Sequence, residues 1–238
     1  MAQWRVHVQG EQFDLEELRE ILADHDPTII QDDSNFYLTS KEWTQSHDAR
    51  EIHRRAKEFI QLLEDVAYFH SKDTAPLTIG GVVRIEDDGL RQDILIANKG
   101  SLTFHGDRPK ATATVTGGDN RPVQVTQKHQ VIKNLRMYEQ NAVVRDALKF
   151  FREGDWVSFY KVYELVRDEV HGDHEIVSRN LISKKSLKRF TQMAQSREGL
   201  GDDARHASKK FKPPAKAMSL TEAKNTIGNL LQSWIDSL

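Results

Sequence analysis

Thr116-Gly117-Gly118-Asp119-Asn120-Arg121-Pro122 divides the chain, because the hydrophobic pattern has a different period on each side of it. Glycines, short polar side chains and a proline favour turns and extended backbone over either regular structure, so the stretch reads as a linker. Ahead of it the period is two. Residues 77–85, 94–97, 101–104 and 111–115 read as strands, parted by Asp87-Asp88-Gly89, Asn98-Lys99-Gly100 and His105-Gly106-Asp107. Connections this short cannot carry a parallel crossover, so they predict an antiparallel meander. Behind the linker the period is 3.6. Residues 131–151 predict one bent helix or two. Asp155 caps a stripe of Trp156, Phe159, Tyr160, Tyr163, Val166 and Val170, and Leu187, Phe190, Met193 and Ala194 mark another helix.

The last helix has the clearest start. Ser219 and Glu222 are spaced as a capping box, followed by Leu220, Ala223, Ile227, Leu230, Leu231, Trp234 and Leu238 on one face. Gly228 lowers helix propensity there by about 1 kcal/mol relative to Ala, which points to close helix packing. Upstream, Trp4-Arg5-Val6-His7-Val8 alternates as a strand. Asp14 and Glu17 read as a helix start, with Phe13 stapling on Leu18, and Leu15, Leu18, Ile21 and Leu22 continue the helix. Residues 28–30 and 36–38 flank a turn at Asp32-Asp33-Ser34-Asn35. A long helix over 48–70 buries Ile52, Ala56, Phe59, Leu63, Val66 and Ala67. The fold class is therefore α+β: a small N-terminal antiparallel sheet with helices (1–120), then a helical bundle (121–238).

Composition narrows the chemistry. The 238 residues are 38% hydrophobic, enough to fill a core, and contain no cysteine, which removes disulfides, thiolate zinc sites and thiol nucleophiles. No apolar run reaches the roughly 18 residues of a membrane span. Met1-Ala-Gln-Trp-Arg lacks the pattern of a secretory leader, so a soluble cytoplasmic protein with no membrane partner is expected.

The net charge of −2 hides an asymmetry. Residues 1–75 hold sixteen acids against eight bases. Residues 182–216 hold ten bases, Lys184, Lys185, Lys188, Arg189, Arg197, Arg205, Lys209, Lys210, Lys212 and Lys216, against Glu198, Asp202 and Asp203. Such an excess attracts phosphates, and it equally suits a solvated face or docking on the acidic N-terminal part. The basic residues lie largely in a connection far longer than the 2–8 residues usual between bundle helices. Here Arg205 and His206 are adjacent. Arg supplies a bidentate grip on phosphate and His a proton near neutral pH. The alternative is that both serve the preceding helix end or pair with Asp202 and Asp203. Arg197, Lys209, Lys210 and Lys212 complete the nucleic-acid-binding set.

A helical C-terminal region with an Arg-His step, a basic proline-containing connector and a capped final helix resembles the HEPN group of bacterial helical domains over residues 141–238. Many HEPN domains are metal-independent ribonucleases of toxin or phage-defence systems and act as dimers. The resemblance therefore implies RNA as partner, a homo-oligomer, and no cofactor. The group's motif is an Arg and a His with four to six residues between them. Arg205-His206 departs from that spacing, whereas Arg167 and His174 keep it, with six residues between them. In that role His174 is the acid or base at a ribose 2′-hydroxyl and Arg167 steadies the phosphate. His171, Asp173 and His174 are an alternative set of metal donors, but without a second cluster no metal is assigned. Gly80-Gly81 and Gly117-Gly118 lack the lysine and hydroxyl of a phosphate loop, and no nucleophile elbow occurs. The functional expectation is a polyanion-binding helical domain with a candidate ribonuclease site; the competing one is a non-enzymatic interaction or oligomerisation module.

Overall fold

Trp4, Val6 and Val8 alternate into the core along β1 (Gln3–Gln9), as period-two patterning requires. The structure, a computed structural model, describes residues 2–71, 76–94, 135–206 and 210–238. The linker at 116–122, the expected strands at 101–104 and 111–115, the start of the helix expected at 131 and Lys209 lie outside the described residues. Among the described residues the fold is α+β, an antiparallel sheet followed by helices. The chain forms two compact units, Met1–Glu64 with Asp73–Arg136, and Asp65–Lys72 with Met137–Leu238.

In the first unit β1 is followed by α1 (Gln12–Ile21), β2 (Thr28–Asp32), β3 (Asn35–Thr39), α2 (Ala49–Ser71), β4 (Thr78–Ile85) and β5 (Arg91–Ile94). The five strands run in the order β2-β3-β1-β4-β5, every pair antiparallel, so the opening strand lies at the centre. Asp33 and Ser34 form the expected two-residue turn, Asp33 at φ 52°. Gly80 and Gly81 fall where the β1–β4 register shifts. A Cβ at Gly80 would stand 3.3 Å from His7 Cβ, so this glycine pair serves strand packing. β5 starts three residues before the expected 94, because Gly89 (φ 83°) closes the turn and Glu86 N–H donates to the Leu90 carbonyl. α1 also starts early: Glu11 is the N-cap, Asp14 falls in the first turn, and Phe13 is 66% exposed instead of stapled.

The second unit takes the last turns of α2, whose Asp65 accepts from Arg152 Nη1 at 3.0 Å. It continues with α3 (135–140), α4 (Ala142–Glu153), α5 (Trp156–Glu169), α6 (Asp173–Ser178), α7 (Lys184–Gln195), the single turn α8 (Arg197–Leu200) and α9 (Leu220–Ile235). Asn141 breaks the run between α3 and α4 and caps α4, its side chain accepting from Val143 and Val144 N–H. Asp155 caps α5 by accepting from Ser158 N–H at 2.7 Å. α5 packs on α4, α6, α7 and α9. Its rings surround Phe190 of α7: Trp156 and Tyr160 stack on it with centroids 6.1 and 6.2 Å away, and Tyr163 meets it edge-on at 6.3 Å. In α9 the expected face is buried from Ala223 to Trp234, but Leu220 at its first residue and Leu238 beyond its end are 44% and 61% exposed.

Gly228 lies against Phe151 of α4, where an added Cβ would stand 3.2 Å from the ring. Gly228→Val is therefore expected to cost about 1–3 kcal/mol by overpacking. Asn229→Val, at an exposed neighbour, changes only helix propensity, which is about equal for the two residues, and should leave stability nearly unchanged. Urea unfolding followed by circular dichroism reads both, and equal losses would show that the ring contact sets no limit.

Candidate nucleic-acid interface

α7 begins at Ser183, whose side chain accepts from Ser186 N–H at 3.1 Å. Its first turns carry Lys184, Lys185 and Lys188, all exposed, and no acidic residue. A helix N-terminus has a partial positive charge of about half an elementary unit, so Lys184 and Lys185, in the first turn, stand where a cation is disfavoured. Among the described residues no ion pair engages any of the three.

Arg189 behaves differently. Its Nε donates to the Lys216 carbonyl at 3.1 Å, and its Nη2 donates to the Ala217 carbonyl and to both Glu222 oxygens at 3.0 Å. One guanidinium thus ties the end of the connector to α7 and α9. Glu222 closes the capping box as well, accepting from Ser219 N–H at 2.9 Å while Ser219 Oγ accepts from Glu222 N–H at 3.1 Å. The Ser219 N–H, then Arg189 and Lys216, hold the Glu222 carboxyl below the usual range. The clamp holds the Lys216 backbone against Arg189, with the Lys216 ammonium close enough to Glu222 to favour its charged form. Lys210 and Lys212 are exposed further along the connector.

A second cluster runs along one stripe of α5, Tyr160, Tyr163, Glu164 and Arg167, at helical spacing. Arg205 lies 4.3 Å over the Tyr160 ring and donates to Glu164 Oε1 at 2.6 Å, while its backbone N–H donates to the Ala194 carbonyl. Gln195 Nε2 donates to Tyr160 Oη at 2.6 Å. Arg167 lies 5.7 Å over the Tyr163 ring and donates to Asp168 Oδ1 at 3.0 Å. Tyr163 Oη donates to Asp173 at 2.6 Å; burial first, and that bond second, push its phenol well above the usual range. The rings of Tyr160 and Tyr163 meet edge-on, 5.2 Å apart.

The structure thus joins Arg167 and Arg205 through adjacent tyrosines and puts His174 one residue beyond Asp173. The His174 side chain is 91% exposed, with Nδ1 3.5 Å from Glu175. No hydrogen bond or ion pair joins Arg167 to His174 among the described residues. His206 points elsewhere, stacked on Phe211 with centroids 5.2 Å apart. Arg205 takes Glu164 as its partner, and Asp202 is held by Arg197 at 3.2 Å. Among the described residues no group of three metal-donor side chains comes together, and no helix is long and apolar enough to cross a membrane. Sequence reading counted Arg189 only as one of ten bases and passed over Glu164, because their partners, Glu222 and Arg205, lie 33 and 41 residues away and leave no local pattern. In the first unit a groove of about 430 Å³ is lined by His7, Gln31, Asp33 and Asn35. His7 Nε2 and Asn35 Oδ1 are 3.1 Å apart, and Asp33 is the only carboxylate of the lining, which holds no lysine or arginine.

No protein-family model matches the chain, and no curated protein or solved structure matches it.

The clamp gives a pH-dependent prediction. Because the folded-state pKa of Glu222 is depressed, its contribution is present above the unfolded value, about 4.3, and is lost as pH falls through the folded value. Glu222→Gln keeps a capping amide but removes the charge, so the variant should lose less stability on acidification below about pH 4.3 than the parent. Ser219→Ala should cost about 1 kcal/mol at pH 7 and leave that acid limb in place. Urea midpoints at pH 7 and pH 3 measure both, and an unchanged acid limb in Glu222→Gln would refute the assignment.

Proposed function

We propose that the C-terminal unit binds RNA through the lysines at the start of α7 and along the connector. One observation carries this reading: Lys184 and Lys185 in the first turn of α7 and Lys188 in the next are exposed, with no ion pair to any of them among the described residues, while the neighbouring Arg189 is paired with Glu222. Lys210, Lys212 and Lys216 extend the same charge. Ammonium groups placed against a helix dipole are relieved by an anion from outside the chain, and a phosphate backbone supplies one every few ångströms.

The first test is salt. Contact with four to six phosphates gives a slope of log K against log salt of roughly −3 to −5, read by fluorescence anisotropy on labelled RNA between 50 and 200 mM KCl. Lys184→Glu with Lys188→Glu should weaken binding at least tenfold. Acidic side chains are favoured at a helix N-terminus, so the double variant should unfold no earlier than the parent. That makes a loss of binding a statement about charge. RNA affinity that ignores both salt and the substitutions would end this reading.

Cleavage is a second reading, favoured by the α5 stripe, which gathers Arg167 and Arg205 beside the corner holding His174. The Arg167–Asp168 pair is exposed, and such pairs are worth only about 0–1 kcal/mol, so a phosphodiester can take the place of Asp168. His174 then exchanges the proton of a ribose 2′-hydroxyl, as the likeness to HEPN domains implies. With chelator present, Arg167→Ala and His174→Ala should each lower RNA cleavage at least a hundredfold without changing RNA affinity more than threefold. Full cleavage by both variants removes these residues from the chemistry.

A further inference from the structure

We infer that the RNA taken by the lysine surface is double-helical and is held through its phosphates without reading bases; this rests on the binding reading above. The inference comes from what the C-terminal unit withholds. Single-stranded RNA is recognised by splaying its bases onto exposed aromatic faces or guanidinium planes. Trp156, Tyr160, Tyr163, Phe190 and Trp234 are all buried. Of the rings nearer the surface, Tyr68 lies under Lys224 Nζ at 4.1 Å, Phe150 under Lys161 Nζ at 4.5 Å, and Phe211 is stacked against the His206 ring. The large hydrophobic side chains exposed in this unit, Val157, Leu220 and Leu238, are aliphatic.

The guanidiniums are withheld as well. Among the described residues of the unit every arginine is tied to its own chain: Arg145 to the Glu139 carbonyl, Arg152 to Asp65, Arg167 to Asp168, Arg179 to Glu175, Arg189 to Glu222, Arg197 to Asp202 and Arg205 to Glu164. A guanidinium of this unit that takes a base edge or a phosphate must therefore exchange a partner it already has, whereas the α7 lysines have no ion pair among the described residues to give up. What faces outward is lysine, a hydrated point charge on a flexible stem, which responds to charge density and not to base identity. A duplex offers twice the phosphates of a strand per unit length, and each neutralised phosphate contributes more counterion release in a duplex, about 0.9 against 0.7. Point charges alone therefore favour the duplex.

The test uses the full chain with two 20-base-pair RNA duplexes of unrelated sequence and one of their constituent strands, by anisotropy at 50 and 150 mM KCl. Expected are affinities for the two duplexes within about twofold of each other, at least about fivefold tighter binding of duplex than strand at 50 mM, and a steeper salt slope for the duplex. Lys184→Glu with Lys188→Glu should reduce duplex and strand binding alike. A strand bound as tightly as the duplex, or a tenfold preference between the two duplexes, overturns this inference and leaves RNA binding standing. Failure of both forms to bind in a salt-dependent way overturns the binding reading itself.

Discussion

Phe190 is the residue on which the arrangement of the C-terminal unit depends. It is fully buried, and Trp156, Tyr160 and Tyr163 of α5 meet it from three successive positions of one helical stripe. Ring pairs of this kind contribute about 0.5–1.5 kcal/mol each beyond the area they bury, and their geometry tolerates little sliding. Locking α7 to α5 in this way has two consequences. It turns the opposite side of α7, with Lys184, Lys185 and Lys188, outward. It also brings the end of α7 beside Tyr160, so that Gln195 and Arg205 meet the outer part of the ring whose face packs on Phe190. One packing event places both clusters from which function is argued.

The two kinds of cation have been sorted by their chemistry. Guanidinium is planar, weakly hydrated and able to satisfy a carbonyl and a carboxylate together, and Arg189 does so with Lys216, Ala217 and Glu222. Ammonium is strongly hydrated, and those of Lys184, Lys185 and Lys188 stay exposed to water. A charge count over residues 182–216 misses this sorting because the acids that neutralise Arg189 and Arg205 lie outside the segment, at Glu222 and Glu164. The segment is basic in sequence; in space, it is the lysine face that is basic.

That contrast marks what could be read in advance. Signals confined to one helical turn were legible: the Asp155 cap, the Ser219–Glu222 box, the ring stripe of α5 and the close approach at Gly228. Signals at a helix end were less so. Asp14 and Glu17 had the right spacing for a start, yet α1 begins at Gln12, since one further turn of backbone bonding outweighs a side-chain cap. Leu220 and Leu238 fit the α9 stripe by count, but the first residue of a helix and one past its end project away from the packed middle. Partners 33 or 41 residues apart have no sequence signature at all. The Arg167–His174 spacing is a related case. Counting residues sets the two side chains near the same corner, but Gly172 at φ 123° turns the chain between them, and each meets its own carboxylate.

The start of α7 is where local rules and the built structure disagree most. Each lysine in a first helical turn is unfavourable by a few tenths of a kcal/mol, and acids there would be favoured by as much. Arg189, one residue after Lys188, is paired with Glu222, and Glu222 has the Ser219 N–H as well. Among the described residues no such compensation is supplied at Lys184, Lys185 and Lys188. Departures from local consistency concentrate where a structure meets something outside itself. On the proposed reading the partner is an extended anion and not a single small phosphate, because a small phosphate needs a closed cradle of donors, and three flexible, hydrated stems on an open helix end do not make one.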